Sequence, residues 1–181
     1  SVVRKILGAT GLPIAVIGPG QAELDNELIV AVAEEAKGER LLIGICEEKN
    51  YRTIVAAALA NHDMGLPLER IVMDPTTGAL GYGIEYGYSV MERLRLAALQ
   101  GDAMTQQPMM VNPGEEAWKV KESKVGEGVP AAWGDWERRA LNWEAVTAAS
   151  LLVSGANVLV LRHPGTLKRI RHMIEDLAAP A

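Results

Sequence analysis

Three stretches of this chain carry side chains that could take part in chemistry, and each of them follows an apolar segment. The first stretch runs from Asp74 to Tyr86 and contains the glycines Gly78, Gly81 and Gly83. Glycine costs conformational order and offers no side chain to pack. Glycines this close together therefore indicate backbone angles that other residues avoid, or a ligand that lies against the main chain. Asp74 is interpreted as an acceptor for the backbone amides of Thr76 and Thr77 rather than as a base.

The other two stretches place charged and aromatic residues after apolar segments further along the chain. Glu115, Glu116 and Trp118 come first, but adjacent glutamates on a helix point in different directions. The helix dipole also favours carboxylates in a first turn, so we assign them no catalysis. Arg162 and His163 follow the last apolar segment. For His163 we favour a capping role through hydrogen bonds over direct contact with a ligand. No catalytic residue and no metal-ligand spacing is assigned.

Apolar segments alternate with segments of helical periodicity along the chain, and together they predict the elements that must position these residues. Strands are predicted at 13–18, 41–46, 70–74, 108–112 and 157–161, and helices at 2–9, 23–37, 51–60, 85–100, 115–123, 136–154 and 164–177. Val90, Leu94, Ala97 and Ala98 are predicted to form the buried stripe of helix 85–100. Five non-alternating strands, each followed by a helix, predict a parallel sheet covered on both faces. Both an open doubly wound sheet and an eight-stranded α/β barrel fit that pattern, and in both the sites lie at the C-terminal ends of the strands.

Composition narrows the classes of partner. The net charge of −5 argues against nucleic acid, whose partners normally present a basic surface. No apolar run is long enough to span a bilayer. The one cysteine, Cys46, excludes an internal disulfide and cannot by itself hold an iron–sulfur cluster. We therefore expect a reducing, cytoplasmic setting without a membrane partner.

A glycine pair near the start of the chain resembles part of a dinucleotide-binding loop. Gly18-Pro-Gly20 opens a strand-to-helix turn, but Glu23 stands where the third glycine should be, and its carboxylate would face a pyrophosphate. Pro19 also removes one of the amides that such a loop offers. A nucleotide-binding α/β domain is therefore a minor alternative.

Several motifs resemble one family in the right order. They are Asp74 to Tyr86, Ser89-Val-Met-Glu-Arg-Leu-Arg-Leu-Ala-Ala-Leu99, Gly114-Glu-Glu-Ala-Trp118, Trp133-Gly-Asp135, Trp143-Glu-Ala-Val-Thr-Ala148 and Leu161-Arg-His-Pro164. In these motifs the chain is similar to the small subunit of the corrinoid iron–sulfur protein, also called the delta subunit of the acetyl-CoA decarbonylase/synthase complex. The resemblance covers nearly all of residues 1–177.

The resemblance implies a fold and a role. The fold would be a (β/α)8 TIM barrel, present here as a partial barrel of about five βα units. The chain would pair with a large subunit that carries an iron–sulfur cluster and a corrinoid domain. Together the two would hold a cobamide, whose cobalt takes a methyl group from a methyl-tetrahydropterin or methyl-tetrahydrofolate. The methyl group would then pass to CO dehydrogenase/acetyl-CoA synthase, and the protein itself would supply binding and docking surfaces.

The resemblance also implies which residues lie near the cobamide, because barrel sites sit at the C-terminal ends of strands. Gly81 and Tyr82 are expected closest to the corrin, where the glycine backbone and the ring would form a flat contact surface, with rim packing as the alternative for Tyr82. The full set of expected contacts is Asp74, Thr76, Thr77, Gly78, Leu80, Gly81, Tyr82, Glu115, Trp118, Arg162 and His163.

The sequence departs from the family in two places. It begins at the helix before Pro13, without the N-terminal barrel strands, and a strand and helix are missing near residues 61–64. Residues 1–181 are therefore expected to be a single-domain fragment. A stand-alone pterin-dependent methyltransferase barrel is the main alternative function, and Asp74 with Asn112 is the one acid–amide pair available to bind its pterin.

Overall fold

The computed structural model describes residues 2–12, 14–39, 41–44, 53 and 71–179. The chain divides into two compact units, residues 1–70 and residues 71–181. Cys46 and the junction near residues 61–64 lie outside the described residues, as does the predicted helix Tyr51–Ala60 apart from residue 53. Among the helices that the structure describes, none combines the length and the hydropathy needed to cross a bilayer.

The first unit contains a two-stranded parallel sheet. Its elements are α1 (Val2–Ala9), β1 (Ile14–Ile17), α2 (Ala22–Glu35) and β2 (Leu41–Gly44). β1 pairs with β2 in a continuous register from Ile14 opposite Leu41 to Ile17 opposite Gly44. On α2 the side chains of Ile29, Val32 and Ala33 are buried.

The second unit contains the candidate residues. Its elements are α3 (Ile84–Leu99), β3 (Met110–Val111), α4 (Pro113–Lys119), α5 (Lys121–Lys124), α6 (Trp136–Val153), β4 (Val158–Leu159) and α7 (Pro164–Ala178), with 3-10 turns at Ala103–Thr105 and Ala131–Trp133. β3 and β4 are parallel, with Met110 opposite Val158. Met73 forms an isolated parallel bridge with Met109, through bonds from Met73 N to Pro108 O (2.8 Å) and from Met110 N to Met73 O (2.9 Å).

The core of this unit lies between the short strands and the helices. Met91, Met109, Val111, Leu151 and Ala156 form it, and Leu94 packs against it. The predicted stripe on α3 is therefore wrong in part, because Met91 is buried while Val90 is exposed. Full burial of one such large side chain stabilises the fold by roughly 1.5–3 kcal/mol.

The N-terminal ends of the parallel segments are braced by one asparagine. The Asn157 side-chain oxygen accepts a hydrogen bond from Met109 N at 3.0 Å and another from the Arg95 guanidinium. Arg95 also donates to the carbonyl oxygen of Gly155 at 2.7 Å. The candidate residues, which follow the strands, therefore lie at the opposite ends of these segments.

The expectation of an eight-stranded barrel, or of a partial barrel of about five βα units, is wrong for this structure. Among the described residues the strands form two separate two-stranded parallel sheets and no barrel. The pairing in the second unit is short because other groups take over the backbone hydrogen bonds. Asn112 N donates to the Thr77 hydroxyl at 2.8 Å, and Pro113 has no amide hydrogen to continue the ladder. The fold is a mixed α/β arrangement with two small sheets.

Candidate functional site

The loop from Asp74 to Gly83 takes its shape from backbone angles and close self-contact. Asp74 Oδ1 accepts the Thr76 amide at 2.8 Å, and Thr76 has a φ of 67°, which is rare for a β-branched residue. Gly81 and Gly83 also have positive φ, of 74° and 94°. A Cβ atom at position 78 would lie 2.5 Å from the carbonyl carbon of Gly83. The loop's own packing therefore accounts for its glycines.

The tip of this loop is held against α6 by two hydrogen bonds, and a third bond within α6 supports them. Leu80 N donates to the Thr147 hydroxyl at 3.3 Å, and the Trp143 indole nitrogen donates to Leu80 O at 3.0 Å. Thr147 in turn donates to the carbonyl oxygen of Trp143 at 2.8 Å. Because both backbone groups of Leu80 are held, the loop tip has a defined position before any ligand arrives.

Tyr82 is exposed and its hydroxyl donates to Glu122 Oε2 at 2.9 Å. The hydrogen bond to the Glu122 carboxylate, assisted by desolvation, raises the pKa of Tyr82 above its ordinary value. One edge of the ring is therefore fixed by Glu122.

The residues after β3 have local structural roles. The Asn112 side chain caps α4, accepting from Glu115 N at 3.1 Å and donating to Glu115 Oε2 at 2.9 Å. Lys119 forms ion pairs with Glu115 at 2.8 Å and Glu116 at 2.7 Å. Hydrogen bonds to these two carboxylates raise the pKa of Lys119. Asn112 is thus held by its cap, and Asp74 by its own loop, which leaves little support for a pterin site built on that pair.

A buried carboxylate, Glu144 on α6, organises the residues that follow β4. Its exposed fraction is 0%. It accepts hydrogen bonds from Arg162 N at 2.5 Å and from His163 N at 3.2 Å. It also accepts from the Trp118 indole nitrogen at 2.9 Å and from the Thr166 hydroxyl at 3.0 Å. One side chain thereby fixes α4, the turn after β4 and the first turn of α7 in relation to one another.

Trp118, which donates to this carboxylate, also contacts the side chains of His163 and Arg162, and we call these three residues the stack. The Trp118 and His163 rings are 6.1 Å apart at their centroids and 11° from parallel. The Arg162 guanidinium carbon lies 5.1 Å from the centre of the Trp118 ring, a separation at which cation–π attraction operates. His163 Nδ1 accepts the amide of Gly165 at 2.9 Å and so caps α7. In the neutral ring this assigns the proton to Nε2, which can donate to another group.

The candidate residues therefore form two groups, and each group contacts α6. Leu80 and Tyr82 belong to the loop group, whereas Trp118, Arg162 and His163 form the stack. Trp143, Glu144 and Thr147 hold both groups; the sequence placed them in a motif that resembles the family but gave them no role at the site. A signal was present, because Glu144 stands four residues after Ala140 and four before Ala148 on the buried face of α6.

A cleft of about 500 Å³ opens beside the loop group. Its lining residues are Leu80, Trp133, Gly134, Asp135, Arg138, Arg139, Asn142, Trp143 and Val146. The described residues contain no group of three or more His, Cys, Asp or Glu side chains placed to hold a metal ion.

The turn after β1 does not offer a free phosphate cradle. The Asp25 carboxylate is buried and accepts the Gly20 amide at 3.3 Å. A Cβ atom at position 18 would clash with the same carboxylate. Because an anion already occupies this turn, a nucleotide phosphate would meet repulsion there, and the nucleotide-binding alternative loses its support.

Residues 59–174 match the family described as CO dehydrogenase/acetyl-CoA synthase delta subunit. Acetyl-CoA decarbonylase/synthase complex subunit delta of Methanosarcina mazei is 35% identical over 97% of this chain. Subunit delta of Methanopyrus kandleri is 37% identical over 97% of it, and subunit delta 1 of Methanosarcina thermophila is 35% identical over 97%. The matched parts make up 46%, 49% and 46% of those proteins, so the chain spans about half the length of these relatives.

Proposed function

The chain belongs to the CO dehydrogenase/acetyl-CoA synthase delta subunit family, and from this premise we propose that it is the small subunit of a heterodimeric corrinoid iron–sulfur methyl carrier. Its partner in this proposal is a large subunit that carries the iron–sulfur cluster, and the two share a cobamide. When bound, the cobamide supplies a cobalt that takes a methyl group from a methyl-tetrahydropterin or methyl-tetrahydrofolate and yields it to acetyl-CoA synthase. The chain binds and docks, and performs no catalysis of its own.

The observation that carries the proposal is the family match over residues 59–174. That span includes the loop from Asp74 to Gly83, α4 and the turn after β4, and therefore every candidate residue named above. The relatives are named as subunits of a complex, which supports a role in assembly with other subunits. The single cysteine of the chain supports placing the iron–sulfur cluster on the partner.

The residues at the C-terminal ends of the parallel segments fit a cobamide in their chemistry. A cobamide presents a broad, largely apolar face with amide side chains around its edge. Leu80 and Tyr82 are exposed and supply apolar surface. Arg162 is exposed, and the Nε2 of His163 is outside the capping bond, so both can donate hydrogen bonds to amide oxygens.

The other proposed contacts hold these exposed residues in position. Asp74, Thr77 and Gly78 shape the loop, and Glu115 belongs to the Asn112 cap. In the proposal they orient the exposed contacts, whereas the Thr76 side chain and the backbone at Gly81 face solvent and stay available to the ligand. Trp118 contributes through its stack with Arg162 and His163.

We further propose that the chain is one part of a longer single domain, with a segment missing near residues 61–64. The alignment to the Methanosarcina mazei subunit extends over 202 residues, more than the 181 residues of this chain. That relative therefore carries residues inside the matched span that have no counterpart here, which supports an internal gap. A reducing, cytoplasmic setting completes the proposal.

Co-expression with the large subunit tests the proposed function. Size-exclusion chromatography should show one heterodimer peak, and its visible spectrum should contain corrinoid bands that this chain alone lacks. A second sample with the large subunit alone shows whether that subunit retains the corrinoid unaided. A chain that stays monomeric beside its folded partner, or that binds a corrinoid by itself, would overturn the proposal.

A further inference from the structure

The outward face of α6 differs in character from the face that holds Glu144. Arg138, Asn142 and Val146 follow one another at steps of four residues, and Val153 lies seven residues further on, so all four share one face. Val146 is 47% exposed and Val153 is 67% exposed. Two turns of helix separate these valines, or about 10 Å. Val146 and Val153 therefore form an exposed apolar stripe on the outward face. The N-terminal end of that face carries the polar Asn142 and the Arg138 cation.

The cleft of about 500 Å³ opens on the Arg138 end of this face. Leu80 of the glycine loop, Trp133 and Trp143 form its apolar walls, and Val146 belongs to its lining. A second cleft of about 250 Å³ adjoins it, since both are lined by Asp135 and Arg138. Clefts and stripe together form one continuous surface, which we call the α6 surface.

The two indoles of the α6 surface are positioned by the protein itself. Arg139 is 8% exposed, and its guanidinium carbon lies 5.6 Å from the centre of the Trp133 ring. The same guanidinium donates to the carbonyl oxygens of Glu122 at 2.7 Å and Gly134 at 3.1 Å. Trp143 is held by its bond to Leu80 O at 3.0 Å. Rigid aromatic groups of this kind lose little entropy when a partner binds.

The chemistry of the α6 surface specifies an occupant with apolar groups and a negative charge. Within the part of the chain that the structure describes, the Arg138 side chain has no hydrogen-bond or ion-pair partner. The Asp135 carboxylate is already used as the α6 cap, accepting Arg138 N at 2.9 Å. Tryptophan and arginine are also enriched at protein–protein interfaces, and they contribute a large share of the binding energy.

The extent of the surface favours a protein segment over a small ligand. The cleft alone has the volume of a small-molecule site, but the apolar stripe continues beyond it to Val153. A compact ligand seated against Trp133 and Trp143 would leave Val153 exposed to water. A helix or extended segment would cover the cleft and the stripe together.

We propose that the α6 surface docks a segment of the partner subunit that presents two aliphatic or aromatic side chains, about two helical turns apart, and a carboxylate opposite Arg138. This inference rests on the proposed function, which supplies the large corrinoid iron–sulfur subunit as the partner. It adds the surface by which that partner is held and the chemistry that the partner must carry there.

The test measures binding of the large subunit to Val146→Glu and Arg138→Glu variants of the chain, by isothermal titration calorimetry. We expect each variant to raise Kd about tenfold or more, because each places a charge against the wrong group at a central contact. Arg138→Glu should also reduce the dependence of Kd on salt. Leu177→Glu is the matched control, since Leu177 is an exposed apolar residue on α7, outside this surface. It should change Kd less than twofold.

Far-UV circular dichroism and the melting temperature establish that the variants fold, as expected for residues at the surface. Wild-type Kd values for both variants would overturn the docking proposal and leave the proposed function standing. An equal loss of binding in Leu177→Glu would overturn it as well. Loss of corrinoid from an intact heterodimer would instead assign the cleft to the cofactor. Failure of the wild-type chain to bind the large subunit would overturn both proposals together.

Discussion

Replacing the buried carboxylate of Glu144 by the amide of glutamine should destabilise the protein strongly. The substitution keeps the size of the side chain and removes its charge and one of its two acceptor oxygens. Four groups donate hydrogen bonds to the native carboxylate: Arg162 N, His163 N, the Trp118 indole and the Thr166 hydroxyl. Glutamine must turn its NH2 group toward some of them.

The size of this loss in stability depends on which of the four donors keeps a hydrogen-bond partner. If the amide oxygen stays with the two backbone N–H groups, the NH2 group faces Trp118 and Thr166. The Thr166 hydroxyl can rotate and accept, but an indole N–H only donates, so Trp118 loses its partner. A hydrogen bond to a charged group is worth about 1.5–3 kcal/mol, and the remaining bonds weaken when their acceptor becomes neutral. We expect a loss of about 3 kcal/mol in the free energy of unfolding.

Urea unfolding followed by far-UV circular dichroism measures this loss. For a chain of this size, about 3 kcal/mol corresponds to a fall in melting temperature of roughly 6–12 °C. The near-UV dichroism of the tryptophans should weaken, because Trp118 is no longer oriented. Glu137→Gln is the matched control, since Glu137 lies exposed on the same helix. It should change stability by no more than about 0.5 kcal/mol.

Two results would refute the reasoning about Glu144. A Glu144→Gln protein within about 0.5 kcal/mol of wild type would show that the carboxylate is not the shared acceptor. Equal losses in Glu144→Gln and Glu137→Gln would point to a general effect of charge on α6. Thr166→Val, which removes a single donor, should fall between these variants at about 1 kcal/mol.

Three further substitutions test other parts of the second unit. Gly78→Ala should lower the free energy of unfolding in urea by about 2 kcal/mol or more, because its Cβ would lie 2.5 Å from the loop's own backbone. Gly126→Ala is the control and should be neutral, since a Cβ there has open space around it. Equal stabilities of the two variants would contradict the loop geometry. Tyr82 should ionise above its ordinary pKa because its hydroxyl must stay protonated to donate to Glu122. The stability from this bond is therefore present below about pH 10 and is lost as pH rises through the raised pKa. The absorbance titration at 295 nm of wild type minus Tyr82→Phe would show it, and an ordinary tyrosine titration would count against the bond. Arg139→Lys should lower stability by about 2–4 kcal/mol, since one ammonium cannot replace a planar fork that reaches several carbonyls; calorimetric melting at an unchanged temperature would contradict that role.

Helical periodicity and helix-boundary residues predicted the limits of several described helices well, whereas the predicted helix 115–123 is divided into α4 and α5. The observed limits of α1, α6 and α7 agree with the predicted ones to within a residue. Pro164 occupies the first turn of α7, where its fixed φ suits the helix. Signals of this kind lie in residues that are close together in the sequence, so the helix limits can be predicted without knowledge of the fold.

The extent of the sheets and the faces of the helices depended on groups far apart in the chain. β3 spans Met110–Val111 rather than 108–112, because the Thr77 hydroxyl takes the next amide. The apolar residues of α3 would allow either of two neighbouring faces to be buried. Gly87 closely approaches the Thr76 carbonyl, and this places the Met91 face against the core. No periodicity within α3 contains that information.

The location of the candidate site stays a prediction, and the residues that hold its side chains in position were not identified from the sequence. The residues after Met73, β3 and β4 were identified because sites in parallel α/β proteins follow the strands. Glu144 was missed because a carboxylate on a helix is normally exposed. Its donors come from residues 18 to 26 positions away along the chain, so only the fold brings them together.

Because Arg139 holds the segment between α5 and α6, the conformation of that segment should not depend on metal ions in solution. The Arg139 guanidinium donates hydrogen bonds to the carbonyl oxygens of Glu122, Val125 and Gly134. A bound calcium ion coordinates several carbonyl oxygens in a similar way in other proteins. Unlike an ion, this cation is covalently attached to α6 and cannot dissociate from the protein. The segment is thus cross-linked by a built-in cation, and chelators or changes in divalent-ion concentration should leave its conformation unaltered.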